Sequence, residues 1–141
     1  MALNYGEHMQ SKTLFQKLGI LVSGLLLAIA TVLVPASPAA AETFDVKMGA
    51  DSGQLVFVPK DLTVSPGDTV NFVLNKLAPH NVVFDKTPSG VDAESLSQKS
   101  LMFAPGETAT VNIPADAPSG TYSYYCTPHR GAGMVGNIIV Q

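Results

Sequence analysis

The chain has 141 residues, 46% of them hydrophobic and 13% charged, with a formal net charge of −3. That length allows one domain with a targeting segment rather than several domains. The small negative charge and the lack of a basic stripe exclude nucleic acid as a partner, because nothing is present to neutralise a run of phosphates.

The first part differs from the rest. Lys12 and Lys17 precede an apolar stretch over residues 18–34, Pro35 ends it, and Ala39, Ala40 and Ala41 follow. No acid lies between Glu7 and Glu42. A cationic start, an apolar middle and small residues at the end describe a secretory signal peptide over residues 1–41, cut after Ala41, with Met9 as an alternative start. An uncleaved anchor fits less well. The stretch is at the short end for a span of about 17–25 residues, and Gly19, Ser23, Gly24 and Thr31 interrupt it. No twin-Arg pair is present, which points to export by the general route. Residues 42–141 carry six bases against ten acids, a balance that favours solubility and could steer a cationic partner.

Past the cut, β-rich runs alternate with turn sequences. Strands are expected over 44–48, 55–58, 62–64, 69–74, 81–84, 108–113, 121–125 and 135–140. Ser65-Pro66-Gly67-Asp68 and Ala104-Pro105-Gly106-Glu107 are tight-turn sequences. Residues 92–97 could form one helical turn capped by Asp92, and 114–120 a loop. Short strands at this spacing predict one all-β domain, an antiparallel Greek-key sandwich. Alternation puts Tyr122, Tyr124 and Cys126 on one face, with Ser123 and Tyr125 on the other.

Cys126 is the only cysteine. Exported domains commonly use disulfides, and this residue has no partner within the chain, so a metal is the alternative to examine. His129 follows it by three residues and Met134 by eight, and His80 is the only other histidine past the cut. A thiolate, two imidazoles and a thioether suit one copper ion, held by His80, Cys126, His129 and Met134 and cycling between Cu(I) and Cu(II). Zinc more usually takes four Cys or His donors. Four donors leave no open position for substrate, and no further histidine is available past the cut for a second copper. The expected role is therefore a one-electron carrier, not an enzyme. Met48 and Met102 lack such a context and read as core packing.

At these residues the chain resembles the plastocyanin family of blue-copper cupredoxins, across essentially all of residues 42–141. The matching segments are Pro79-His80-Asn81, Tyr124-Tyr125-Cys126-Thr127-Pro128-His129, Gly131-Ala132-Gly133-Met134-Val135-Gly136 and Pro88-Ser89-Gly90-Val91-Asp92-Ala93. The resemblance implies an eight-stranded sandwich with copper near one end. It implies electron transfer from cytochrome f of the cytochrome b6f complex to photosystem I, in the thylakoid lumen. The carrier would be a monomer meeting membrane complexes only peripherally. It further implies that His129 has a solvent-facing edge within an apolar rim of Leu55, Pro79, Pro128 and Ala132. Tyr125 would be a second electron exit, and Asn81 would tie the His80 and Cys126 loops together. Plant members carry clustered acids near the tyrosine, whereas here Asp85, Asp92 and Glu94 are separated and accompanied by Lys86 and Lys99. Arg130 beside His129 and the simple signal peptide resemble the cyanobacterial type. Two alternatives stand beside this reading. A pseudoazurin-like periplasmic donor shares the ligand spacing, and a copper chaperone or storage protein would hold exchangeable copper.

Overall fold

Alternation of buried and exposed side chains builds the first sheet. In the computed structural model, which describes residues 40–141, Val46 and Met48 of β1 (Thr43–Met48) point inward, as do Val70, Phe72 and Leu74 of β4 (Thr69–Leu74). The two strands run parallel from Thr43↔Thr69 to Met48↔Leu74. The short β2 (Phe57–Val58) adds antiparallel to β1, and β7 (Thr108–Asn112) adds antiparallel to β4. The order is β2-β1-β4-β7. The segment read as a signal peptide lies outside the described residues, except Ala40 and Ala41, which are exposed and in no strand or helix.

The second sheet has the order β3-β9-β8-β5-β6. It comprises β3 (Asp61–Val64), β5 (His80–Lys86), β6 (Gln98–Met102), β8 (Gly120–Tyr125) and β9 (Val135–Val140). A single turn of helix, α1 (Ala93–Leu96), precedes β6; the Asp92 carboxylate caps it by accepting the Glu94 N–H at 2.9 Å.

This is the expected cupredoxin-like β-sandwich, with two corrections. There are nine strands among the described residues rather than eight, and the sheets are mixed, because β1/β4 and β3/β9 run parallel. The missed strand is β6, whose residues are exposed apart from a half-buried Met102. An edge strand exposed on both faces shows no alternation to read. Strand 55–58 shortens to Phe57–Val58, because the preceding loop closes on itself through Gly49 N–H to the Val56 carbonyl at 2.9 Å.

Four rings lock the sheets together. Phe57 and Phe72 come from the first sheet, Phe84 and Tyr124 from the second. Tyr124 meets Phe57 at 4.8 Å and Phe72 at 5.0 Å, both edge-on, and Phe84 at 5.4 Å. Edge-to-face contacts of this kind contribute about 0.5–1.5 kcal/mol beyond area burial. The packing demands a glycine at 136, where a Cβ would lie 2.6 Å from the Tyr124 hydroxyl and 2.8 Å from the Lys60 carbonyl. Met48 is buried among these residues and Met102 packs against them.

The sandwich also sets where the chemistry goes. β5 begins at His80, β8 ends just before Cys126, and β9 begins just after Met134. These strands are neighbours, with Val83↔Tyr125 and Tyr125↔Val135 in register, so all four expected ligands gather at one end of the second sheet. Replacing Phe72 by Ala should cost about 3–5 kcal/mol through the cavity it leaves. The urea midpoint of the metal-free protein checks this, and the ring cluster is not the lock if the midpoint stays unchanged.

Candidate metal centre

His80 is fully buried, and its ring is held from behind. Its Nε2–H donates to the Lys76 carbonyl at 2.7 Å. That bond sets the tautomer and leaves the Nδ1 lone pair free to face inward. Lys76 O can sit there because residue 49 is glycine. Gly49 has φ +85°, and a Cβ on it would fall 2.2 Å from that oxygen. Its loop is pinned to the 75–76 backbone: the Asn75 Nδ2–H donates to Gly49 O at 2.8 Å, and Lys76 N–H to Met48 O at 3.2 Å.

Cys126 follows β8 and is also fully buried. Burial raises its thiol pKa, and backbone hydrogen bonds from Asn81 and His129 oppose that rise. A 3-10 turn, Thr127–Ala132, then carries His129 back over the sulfur. Gly133, with φ 87°, ends the turn and returns the chain to Met134. The Met134 N–H donates to His129 O at 3.2 Å and its carbonyl accepts the Cys126 N–H at 3.1 Å. Its side chain is fully buried. His129 is half-buried, and burial, then the nearby His80, lower its pKa. A lowered pKa keeps the imidazole neutral, which is the ligating form.

The three donors form a triangle. Sγ lies 3.5 Å from each Nδ1, and the two Nδ1 atoms are 3.2 Å apart. The centre of such a triangle is about 2.0 Å from every corner, the length of a first-row metal–nitrogen bond and slightly short for metal–sulfur. A thiolate, two imidazoles and a thioether are a donor set that fits copper. Together with Met134, His80, Cys126 and His129 form a His-Cys-His-Met copper site.

The surroundings divide. Asn81 is buried and accepts the Thr127 N–H at 2.8 Å, while its amide donates to Lys99 O at 3.0 Å and Thr127 Oγ1 at 3.1 Å. It thereby ties β5 to β6 and to the 3-10 turn. Pro128 and Ala132 are exposed on that turn; Pro79 is half-buried before His80, and Leu55 half-buried against the core. Arg130 does not stand as a free charge. Its guanidinium donates to Asp85 at 2.6 Å and lies 3.9 Å from the Tyr125 ring centroid, covering one face of that ring. Sequence reasoning missed the Lys76 carbonyl, which acts on His80 only four residues away, and Gly49, Thr127 and Asp85, which act through contacts distant in the chain. It also missed Leu77, an apolar side chain 49% exposed three residues before His80.

Residues 44–141 match the model of the copper binding proteins, plastocyanin/azurin family. A plastocyanin of Nostoc punctiforme is 50% identical over 130 residues, 89% of this chain and 94% of that one. A mutant fern plastocyanin, solved oxidised and reduced, superposes with a TM-score of 0.59 at 32% identity, covering 69% of this chain and 99% of its own. A pseudoazurin from Sinorhizobium superposes with a TM-score of 0.53 at 32% identity, covering 71% and 74%.

Two outcomes follow from the geometry. Gly49→Ala should displace the Lys76 carbonyl from His80 and weaken copper binding about 10- to 100-fold, the usual cost of losing an outer hydrogen bond to a ligand; competition with a chelator measures this. In the metal-free protein, the lowered folded pKa of His129 means that the unfolded chain takes up its proton first. Stability present above about pH 6.5 is therefore lost as pH falls. Urea midpoints from pH 7.5 to 5 should drop for the parent and drop less for His129→Gln.

Proposed function

This chain belongs to the copper-binding plastocyanin/azurin family and is a blue-copper electron carrier, and from that premise we propose that it takes electrons from cytochrome f of the cytochrome b6f complex and passes them to photosystem I. The observation that carries this reading is the His80–Cys126–His129 triangle, to whose turn the buried Met134 is tied by backbone hydrogen bonds.

Copper bound there would supply a one-electron couple between Cu(I) and Cu(II). His80, Cys126 and His129 would hold the ion together with Met134, whose thioether would tune its potential. His80, Cys126 and Met134 have no exposed surface, so water is kept from the ligands and little solvent must reorganise when the charge changes. His129, half-buried on its turn, offers the route to a partner. The apolar rim of Leu55, Pro79, Pro128 and Ala132, with the exposed Leu77 three residues before His80, lets that partner approach closely. Tyr125, next to Cys126, is the second exit, and Arg130 and Asp85 shape the contact around it. No bond chemistry is assigned to the protein.

The same reading places the carrier in a cyanobacterial thylakoid lumen, as a monomer, after removal of residues 1–41. Its contact with membrane complexes is peripheral. Among the described residues no helix is long and apolar enough to cross a membrane. The pseudoazurin-like periplasmic donor is the second reading, favoured by the superposition on a pseudoazurin. A copper chaperone is weaker, since one closed donor set does not favour exchange.

Adding Cu(II) to the metal-free protein should give an intense blue thiolate-to-copper band. Cys126→Ser should abolish it, while Met134→Gln should keep copper with a shifted potential. The coloured protein should then be bleached by reduced cytochrome f and recoloured by illuminated photosystem I. A colourless product removes the copper site, and a blue protein inert to both partners leaves the periplasmic reading.

A further inference from the structure

Three polar side chains are buried among the described residues, and two of them, His80 and Asn81, belong to the metal centre. The third is Asp68, 4% exposed in the turn before β4. It lies at the opposite end of β4 from the loop that leads to His80.

Among the described residues, Asp68 is held by backbone groups alone. One carboxylate oxygen accepts the Ser65 N–H at 2.7 Å, and the other accepts the Glu42 N–H at 2.8 Å. The ion pairs among the described residues are Lys47–Asp51, Lys99–Glu94 and Arg130–Asp85, so none of them involves Asp68. A buried carboxylate with neutral donors only is an expensive arrangement, because the charge lacks a counter-ion. Glu42 is fixed in place as well, its carbonyl accepting the Thr69 N–H at 2.8 Å. A cavity of about 190 Å³, lined in part by Glu42, Phe44, Ser65 and Asp68, opens at this point.

The Glu42 nitrogen is the atom that a cut after Ala41 would release. We propose that Asp68 is a binding site for the α-ammonium of the processed chain, formed when the Ala41–Glu42 bond is hydrolysed. The inference rests on the cleavage reading given above. A signal peptidase adds water across the bond, Ala41 leaves as a carboxylate, and the Glu42 nitrogen leaves as an amine. With an ordinary pKa of about 7.7–8.0, that amine is mostly an ammonium at pH 7. The nitrogen that donates one neutral hydrogen bond to Asp68 becomes the missing cation without moving, since Thr69 still holds the Glu42 carbonyl. Glu42's own carboxylate is on an exposed residue and stays in solvent. Processing would thus complete the fold at the end remote from the metal, favouring the folded state in the exported chain over the precursor.

The test uses the copper-loaded protein beginning at Glu42, an extent supported by the solved fern plastocyanin, 99% of whose chain is covered by 69% of this one. It is compared with the same protein Nα-acetylated. Acetylation keeps an N–H for Asp68 and removes only the charge. The free amine should raise Tm by about 4–8 °C, the shift that corresponds to about 1 kcal/mol in a domain this size. Acetylation should make no difference in Asp68→Asn. If that variant does not fold, labelling decides: an amine reagent at pH 7 should modify the α-amino group about tenfold more slowly than in a free peptide, one pKa unit's worth of protection. Equal Tm values with peptide-like labelling overturn the pair. The mass of the exported chain tests the cleavage reading separately, and a start other than Glu42 refutes that reading whatever the recombinant pair shows.

Discussion

Two ring nitrogens and a sulfur within 3.5 Å of one another, at the edge of a dry interior, are the constraint around which this molecule is built. Lone pairs that close repel unless a cation lies between them, so the fold must hold them together before the ion arrives. Adjacent strands provide that hold. β5, β8 and β9 share one sheet, and the ring cluster of Phe57, Phe72, Phe84 and Tyr124 clamps this sheet to the other. The ligands are thus fixed by packing that costs several kcal/mol to disturb.

The site is nevertheless not the property of one sheet. His80 begins a strand of the second sheet, but the carbonyl that orients it follows β4, and the glycine that makes room for that carbonyl follows β1. Both belong to the first sheet. A change in how the sheets pack would therefore reach the metal through Lys76. Asn81 does the corresponding work on the opposite side, joining β5 and β6 to the turn that bears His129.

The outward side is looser. Exposed Arg130 and Asp85 and half-buried Tyr125 form a cluster in which the positive charge is answered locally. An ion pair in contact with water is worth about 0–1 kcal/mol, so a partner's charged group can replace one member at small cost. On the proposed reading, contact through exposed apolar surface would carry more of the docking than long-range charge, in keeping with the separated positions of Asp85, Asp92 and Glu94 in the chain.

The ligand set and the inward face of β8 were legible in the linear order of residues. Cys126, His129 and Met134 are close in the chain, so their spacing alone closes a loop around an ion. His80 was identified because residues 42–141 hold only one other histidine, His129. Strand periodicity likewise announced a sandwich, since alternation is a local property. What the chain order could not state was partnership. Alternation tells which face is buried but not which strand lies beside it, so the parallel pairings of β1 with β4 and β3 with β9 emerged only in three dimensions. β6 stayed hidden because its exposed residues carry no alternation. The room that Gly49 leaves for the Lys76 carbonyl and the grip of Asp68 on Glu42 join segments distant in sequence through backbone atoms, which are identical in every residue, and the Asp85–Arg130 pair joins side chains 45 positions apart. The chemistry of this protein was thus determined by residue identity, and its tuning by tertiary contact.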